Sequence, residues 1–229
     1  MTPDAAPPQN TAPLAPLDLF ERRVLVAGVV APGFALVVVI VATLLFPGGF
    51  DHGKQYISEL GAARATWPWV FNYGMIASGG VFLFVALGFF AALRARPWAA
   101  ACTALSLGAA GMGAMASGFY HMPNPLHQVC ELGLFLAASP ALTVWACWGR
   151  AELRRLTRAS LITCAVLVVL FVVLQGWTPF LTVDNVGWWQ RAFALMAVVW
   201  VGWASSVLLS VSGGRFERGP LEREQLGAA

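Results

Sequence analysis

Residues 24–46 read VLVAGVVAPGFALVVVIVATLLF and contain no charged side chain. A helix of about 20 apolar residues crosses a hydrocarbon core of about 30 Å, so this stretch alone predicts a membrane span. Similar runs recur along the chain, each bounded by proline, glycine or charge. They cover residues 68–93, 98–120, 126–148, 159–177 and 189–212. The pattern predicts an all-α integral membrane protein built as a six-helix bundle.

The composition of the 229 residues supports a membrane setting: 59% are hydrophobic and 11% are charged. Soluble domains average about 45–50% apolar and about 25% charged residues. A soluble fold would leave large apolar patches in water, which excludes the soluble enzyme classes. The four cysteines lie within apolar runs and suggest neither a disulfide framework nor a CxxC metal site. The basic residues form no stripe with aromatics between them, so nucleic acid is not an expected partner.

The distribution of Lys and Arg predicts the orientation. In a six-span arrangement eleven of these residues fall on one side and three, Lys54, Arg64 and Arg191, on the other. Because cytoplasmic loops carry the excess of basic residues, both ends should be cytoplasmic, an N-in/C-in topology. The expected organisation is a disordered cytoplasmic tail over 1–19, a transmembrane domain over 20–213 and a cytoplasmic tail over 214–229. The third span, rich in Gly, Ala and Ser, is expected to be the central helix.

The first outer connection, FPGGFDHGKQYISELGAARATWP, begins with turn-forming proline and glycine. A short helix over 54–64, lying in the membrane interface, is predicted to follow. It would hold Ser58 and Glu59 near the membrane surface, where they are candidates for ligand binding. The alternative is that Ser58 caps a helix and that Glu59 is a solvated carboxylate.

The second outer connection reads GFYHMPNPLHQVCELG. Asn124 as N-cap and Pro125 as first helical residue would place His127 and Glu131 four apart on one helix face. Imidazole and carboxylate at this spacing could hold a zinc-like metal, with His121 as a further ligand. No HExxH motif supports that idea, so an acid/base pair or a purely structural pair remains open. No motif for a nucleotide, haem or flavin cofactor is found in the sequence.

Arg191 stands at the outer end of span six, against the charge bias. It is a candidate partner for Glu59, for Glu131, or for an anionic headgroup or substrate. Snorkelling of the side chain to the surface is the alternative. Because an unpaired carboxylate inside a span is costly, we expect Glu59, His127, Glu131 and Arg191 to form one polar cluster.

Three features resemble a bacterial family of membrane proteins known as domain of unknown function 998. They are the string YISELGA at 56–62, His127 at the head of span four, and the Gly-x-x-Gln-Arg stretch from Gly187 to Arg191. The six-span Frag1/DRAM/Sfk1 family is the second resemblance. Membership of the first family implies a six-helix bundle in the bacterial inner membrane, with its characteristic polar residues outside, at Ser58, Glu59, His127 and Arg191. It implies no particular activity.

Three functions follow as hypotheses. The first is binding or sensing of a small polar or lipid-like ligand in an outer pocket lined by Ser58, Glu59, His127, Glu131 and Arg191. The second is an accessory or structural subunit of a membrane complex. The third is an outer-leaflet hydrolase that uses His127 or Glu131 as general base, with or without a metal. Membrane lipid is an expected partner in each case, and a homo- or hetero-oligomer is compatible with each.

Overall fold

The structure, a computed structural model, describes residues 16–129 and 133–213, and the regular secondary structure in these ranges is helical. The predicted tails therefore lie almost wholly outside the described residues. The α-helices are α1 (Leu19–Leu44), α2 (Pro68–Leu93), α3 (Pro97–Phe119), α4 (Pro125–Val129), α5 (Gly133–Cys147), α6 (Arg154–Leu174) and α7 (Val186–Gly213). Short 3-10 helices occupy Ile57–Gly61 and Ala151–Leu153.

Five of these helices, α1, α2, α3, α6 and α7, are long and apolar enough to cross a membrane, judged by length and composition. The fourth predicted span, 126–148, corresponds to α4 and α5, which lie on either side of residues 130–132. Those three residues fall outside the described part of the chain, so a single helix over 126–148 stays a prediction. Helix α5 has 15 residues and is apolar overall.

The long helices and α5 form a closed ring. In chain order α1 packs on α2, α2 on α3, α3 on α5, α5 on α6 and α6 on α7, and α7 returns to α1. Helix α3 packs chiefly against α2 and α5, so the expectation that span three is the central helix is wrong. Its small residues do allow close approach: a Cβ on Gly111 would lie 2.8 Å from the carbonyl oxygen of Gly79 on α2.

The interior of the ring contains large side chains from several helices. The rings of Phe89 and Trp200 lie 6.0 Å apart between centroids, and the indole N–H of Trp200 donates to the hydroxyl of Ser160 at 3.0 Å. The outward faces expose apolar side chains, such as Val30 and Val37 of α1. Exposed apolar faces on long helices are expected where lipid rather than water surrounds the bundle.

Helix α1 begins earlier than its apolar run because a capping box precedes it. The backbone N–H of Glu21 donates to Asp18 at 2.8 Å, and the backbone N–H of Asp18 donates to Glu21 at 2.9 Å. The carboxylate of Glu21 also pairs with Arg94 at the end of α2, at 2.5 Å. Three charged residues, Glu21, Arg22 and Arg23, therefore belong to the helix, although hydropathy alone would place them outside it.

The ring has two chemically different ends. The loop end is defined here by the α1–α2 loop, the end of α3, α4 and the start of α7. The basic end is defined by the start of α1, the end of α2, the start of α3, the α5–α6 turn and the start of α6. It carries Arg22, Arg23, Arg94, Arg96, Arg150, Arg154, Arg155 and Arg158. Most of the predicted site residues belong to the loop end.

Candidate functional site at the loop end

The α1–α2 loop packs against the first turn of α7. The backbone N–H of Gly187 donates to the carbonyl of Gly53 at 2.6 Å. A Cβ at position 187 would overlap the carbonyl oxygen of His52 and would lie 2.5 Å from that of Gln55. Only glycine at this position therefore allows the loop backbone to come so close to the helix.

Arg191 holds the same loop in place. Its Nη1 donates to the carbonyl oxygens of His52 and Gln55, each at 2.9 Å, and to that of Gly187 at 2.7 Å. The guanidinium lies over the ring of Phe50, 5.1 Å from the centroid. A cation over an aromatic face gains a further electrostatic attraction. One nitrogen of Arg191 therefore binds two carbonyl oxygens of the loop and one of α7.

The other two nitrogens of Arg191 are differently placed. Nε and Nη2 are both shielded from solvent, and neither has a hydrogen-bond partner among residues 16–129 and 133–213. A buried donor without a partner costs about 1–3 kcal/mol, more for a charged group. These two atoms share one edge of the guanidinium plane, the edge that pairs with a carboxylate or phosphate through two parallel bonds. This edge is suited to an anionic group.

Gln190 provides a second link between α7 and the loop. Its side-chain oxygen accepts the backbone N–H of Ile57 at 2.6 Å. Ile57 is the first residue of the 3-10 helix Ile57–Gly61, which is shorter than the helix predicted over 54–64. The two sequence strings YISELGA and Gly-x-x-Gln-Arg therefore meet in space and form one interlocked unit.

Glu59 lies in this loop but does not use Arg191 as a partner. Its carboxylate accepts the backbone N–H of Tyr56 at 2.8 Å and pairs with the guanidinium of Arg64. The neighbouring Ser58 hydroxyl donates to the sulfur of Met122 at 3.4 Å, which connects the loop to the α3–α4 connection. Of the predicted site residues, Ser58 and Glu59 thus lie in the loop that Arg191 fastens.

His127 is buried, with 4% of its surface exposed. Its Nδ1 lies 2.9 Å from the carbonyl oxygen of Tyr120 at the end of α3. Asn124 accepts the backbone N–H of Leu126 at 2.9 Å, which confirms the predicted cap of α4. Glu131, the fourth member of the expected cluster, lies outside the described residues, so the cluster as a whole stays a prediction.

The predicted metal site used His121, His127 and Glu131. Within the part of the chain that the structure describes, no group of three or more His, Cys, Asp or Glu side chains is close enough to hold a metal. Since Glu131 falls outside that part, the zinc-like site remains a prediction.

Charged residues at the rim of the loop shape its turn. Asp51 accepts the backbone N–H groups of Gly53 and Lys54, at 2.9 and 3.1 Å. These bonds hold the pKa of the Asp51 carboxyl below its ordinary value, and the bond from Lys54 contributes most. Lys54 pairs with Asp184 at 3.0 Å, and the carboxylate raises the pKa of the lysine. The Lys54–Asp184 pair also joins the α1–α2 loop to the segment before α7.

Sequence reasoning missed three of the partners that organise this end: Gln190 for Ile57, Arg64 for Glu59, and Tyr120 for His127. A charge five residues from Glu59 was a visible signal for the Arg64 pair. The other two partners are a side-chain amide and a backbone carbonyl, which carry no distinctive sequence pattern.

The fold and this end together define an all-helical, multi-pass membrane protein whose α1–α2 loop is fastened to its last helix. The family model described as "Protein of unknown function (DUF998)" matches residues 29–207, so the chain belongs to that family. The resemblance noted from the sequence is confirmed. No curated protein and no solved structure matches the chain.

Proposed function

We propose that the chain is a six-span protein of the bacterial inner membrane, with both ends in the cytoplasm, that binds a small anionic or lipid-like ligand at the loop end. The bias of Lys and Arg in the sequence, eleven against three, favours this orientation because positive charges stay in the cytoplasm. In that orientation the loop end faces the periplasm.

The observation that carries the binding proposal is the free edge of Arg191. Its Nη1 is fully used by three carbonyls, whereas Nε and Nη2 are buried without a partner in the described part of the chain. The fixed Nη1 leaves the guanidinium little freedom to turn. An arginine held in this way is preorganised for a carboxylate or phosphate, and it would lose little conformational entropy on binding.

The surroundings of the arginine favour a ligand that is partly apolar. Phe50 lies under the guanidinium, and Phe46, Phe50 and Ile57 pack against the apolar cluster of Ala42, Leu60 and Phe71. A ligand that reached the free edge would contact this apolar cluster with its uncharged part. An anionic headgroup with a hydrocarbon portion fits both features.

The hydrolase alternative lacks comparable support. The Ser58 hydroxyl donates to a methionine sulfur and the His127 ring bonds a backbone carbonyl, so neither is engaged as a nucleophile with its base in the described residues. Catalysis by a serine would need such a pair within hydrogen-bond reach.

Native mass spectrometry of the full chain, released from a mild detergent, tests the proposal. Wild type should retain a co-purified anionic molecule, and Arg191→Gln should lose it. Arg64→Gln is the matched control, because it removes an arginine from the same loop region while leaving the free edge of Arg191 in place. Wild type free of any adduct, or equal loss in both variants, would overturn the proposal.

A further inference from the structure

A groove at the basic end is lined by residues that take no part in the loop-end site. It encloses about 380 Å³ and is lined by Ala151, Glu152, Arg154, Arg155 and Arg158. All five residues are exposed. Three guanidinium groups therefore share one small concave surface with a single carboxylate.

That carboxylate is already engaged by an arginine from outside the groove. Glu152 lies 3.4 Å from Nε of Arg150, whose side chain is fully buried. Arg154, Arg155 and Arg158 have no acidic partner within the described ranges, 16–129 and 133–213. The groove consequently carries a surplus of positive charge that an anion would balance.

The position of these arginines on their helix increases the surplus. Arg154, Arg155 and Arg158 lie in the first five residues of α6, and the residue before it, Leu153, provides no side-chain cap. The start of a helix carries a partial positive charge, so cations there are unfavourable and anions are favoured. An anion bound here would neutralise the charge of the arginines. It would also interact favourably with the partial positive charge at the start of α6.

Tryptophan side chains indicate the level of the groove relative to the membrane. Trp145 and Trp148 are exposed at the end of α5, directly before the groove, and Trp98 is exposed at the start of α3. The guanidinium of Arg96 donates to the carbonyl of Trp145 at 3.0 Å, so the ends of α3 and α5 lie side by side. Indole rings on membrane helices collect at headgroup level. The groove therefore lies where lipid phosphates are found.

We propose that this groove binds the phosphate of an anionic phospholipid through Arg154, Arg155 and Arg158. The acyl chains of the lipid would lie along the exposed apolar face of α6, which carries Leu161, Ile162, Val168 and Val169. This site is independent of Arg191. It requires only a leaflet that contains anionic lipid at the basic end.

The test uses the full-length, delipidated protein in neutral detergent, titrated with phosphatidylglycerol or with phosphatidylcholine of the same acyl chains. Wild type should prefer phosphatidylglycerol. Arg154→Gln/Arg158→Gln should weaken its binding about tenfold or more, because each arginine near an anionic headgroup contributes about 1 kcal/mol. The control Arg22→Gln/Arg23→Gln removes the same charge at the same end and should have little effect.

Three results would overturn the proposal. They are equal weakening by the two double variants, absence of preference for phosphatidylglycerol, and displacement of the lipid by millimolar inorganic phosphate, which would indicate a site for a soluble anion. Gel filtration and thermal unfolding establish that the variants fold. Arg191→Gln should retain the phosphatidylglycerol preference, so failure at one site is distinguishable from failure at the other.

Discussion

The side-chain oxygen of Gln190 accepts the backbone N–H of Ile57 at 2.6 Å, although 133 residues separate them in the chain. This bond joins the first loop to the last helix and completes the contact that Gly187 and Arg191 make nearby. The closed ring makes the pairing available, because α7 returns to pack against α1. The loop is therefore a fixed part of the bundle end.

Replacing Gln190 by alanine should lower the stability of the protein. The partly buried N–H of Ile57 would lose its acceptor, which costs about 1 kcal/mol. Gln190→Glu keeps a side-chain oxygen at the same position and should cost less. Thermal unfolding in detergent provides the comparison, and equal midpoints for wild type and Gln190→Ala would show that the bond does not hold the loop.

Gly187→Ala should destabilise the same contact by a steric route. The added methyl group would meet the carbonyls of His52 and Gln55, and overpacking of this kind costs about 1–3 kcal/mol. Gly80→Ala is the control, because no atom lies within 4 Å of a Cβ built there and alanine favours a helix over glycine. Limited proteolysis of the loop should accelerate only in Gly187→Ala. An unchanged cleavage rate would contradict the tight packing.

Much of the fold could be predicted from the sequence because long apolar runs determine membrane helices. The second span was predicted at 68–93 and α2 covers Pro68–Leu93, since proline begins it and arginine follows it. The start of α1 was missed because charged residues can enter a helix when they cap it. The fourth span, predicted at 126–148, stays a prediction, because α4 and α5 flank residues outside the described part of the chain.

The candidate site could be predicted only in part. The sequence indicated that Glu59, His127 and Arg191 gather at one end, because topology follows from charge and span count. It could not assign their partners: Arg191 bonds backbone carbonyls and Glu59 pairs with Arg64. Such choices depend on the path of the loop backbone, which hydropathy and charge do not encode.

Acidification should loosen the turn at Asp51. Its pKa is held below the ordinary value by backbone N–H donors, so the bonds are fully present above about pH 4. They are lost as the pH falls through the lowered pKa. The protection factors of the Gly53 and Lys54 amides, which correct for the intrinsic pH dependence of exchange, should therefore fall at low pH in wild type. Asp51→Asn should remove this fall in protection, and a fall of the same size in the variant would assign the effect to other carboxyl groups.

Cysteine labelling should establish the orientation. In a variant without the native cysteines, Ala63→Cys in the α1–α2 loop should react with an impermeant maleimide in intact cells. Ala151→Cys at the basic end should react only after permeabilisation. Both alanines are exposed, so accessibility to the reagent depends on sidedness. The reverse pattern would place the loop end in the cytoplasm.

The central claim is that the free edge of Arg191 receives a ligand, and a double-mutant cycle with Glu131 tests it most directly. Unfolding free energies are measured for wild type, Arg191→Gln, Glu131→Gln and the double variant, each in delipidated form. Independent sites add within about 0.3–0.5 kcal/mol, and additivity is the result expected if the edge is reserved for a ligand; it would also overturn the direct pairing of Glu131 with Arg191 that the sequence suggested. A coupling energy of about 1 kcal/mol or more would show that Glu131 fills the edge of Arg191 from within the chain, and it would contradict the ligand site.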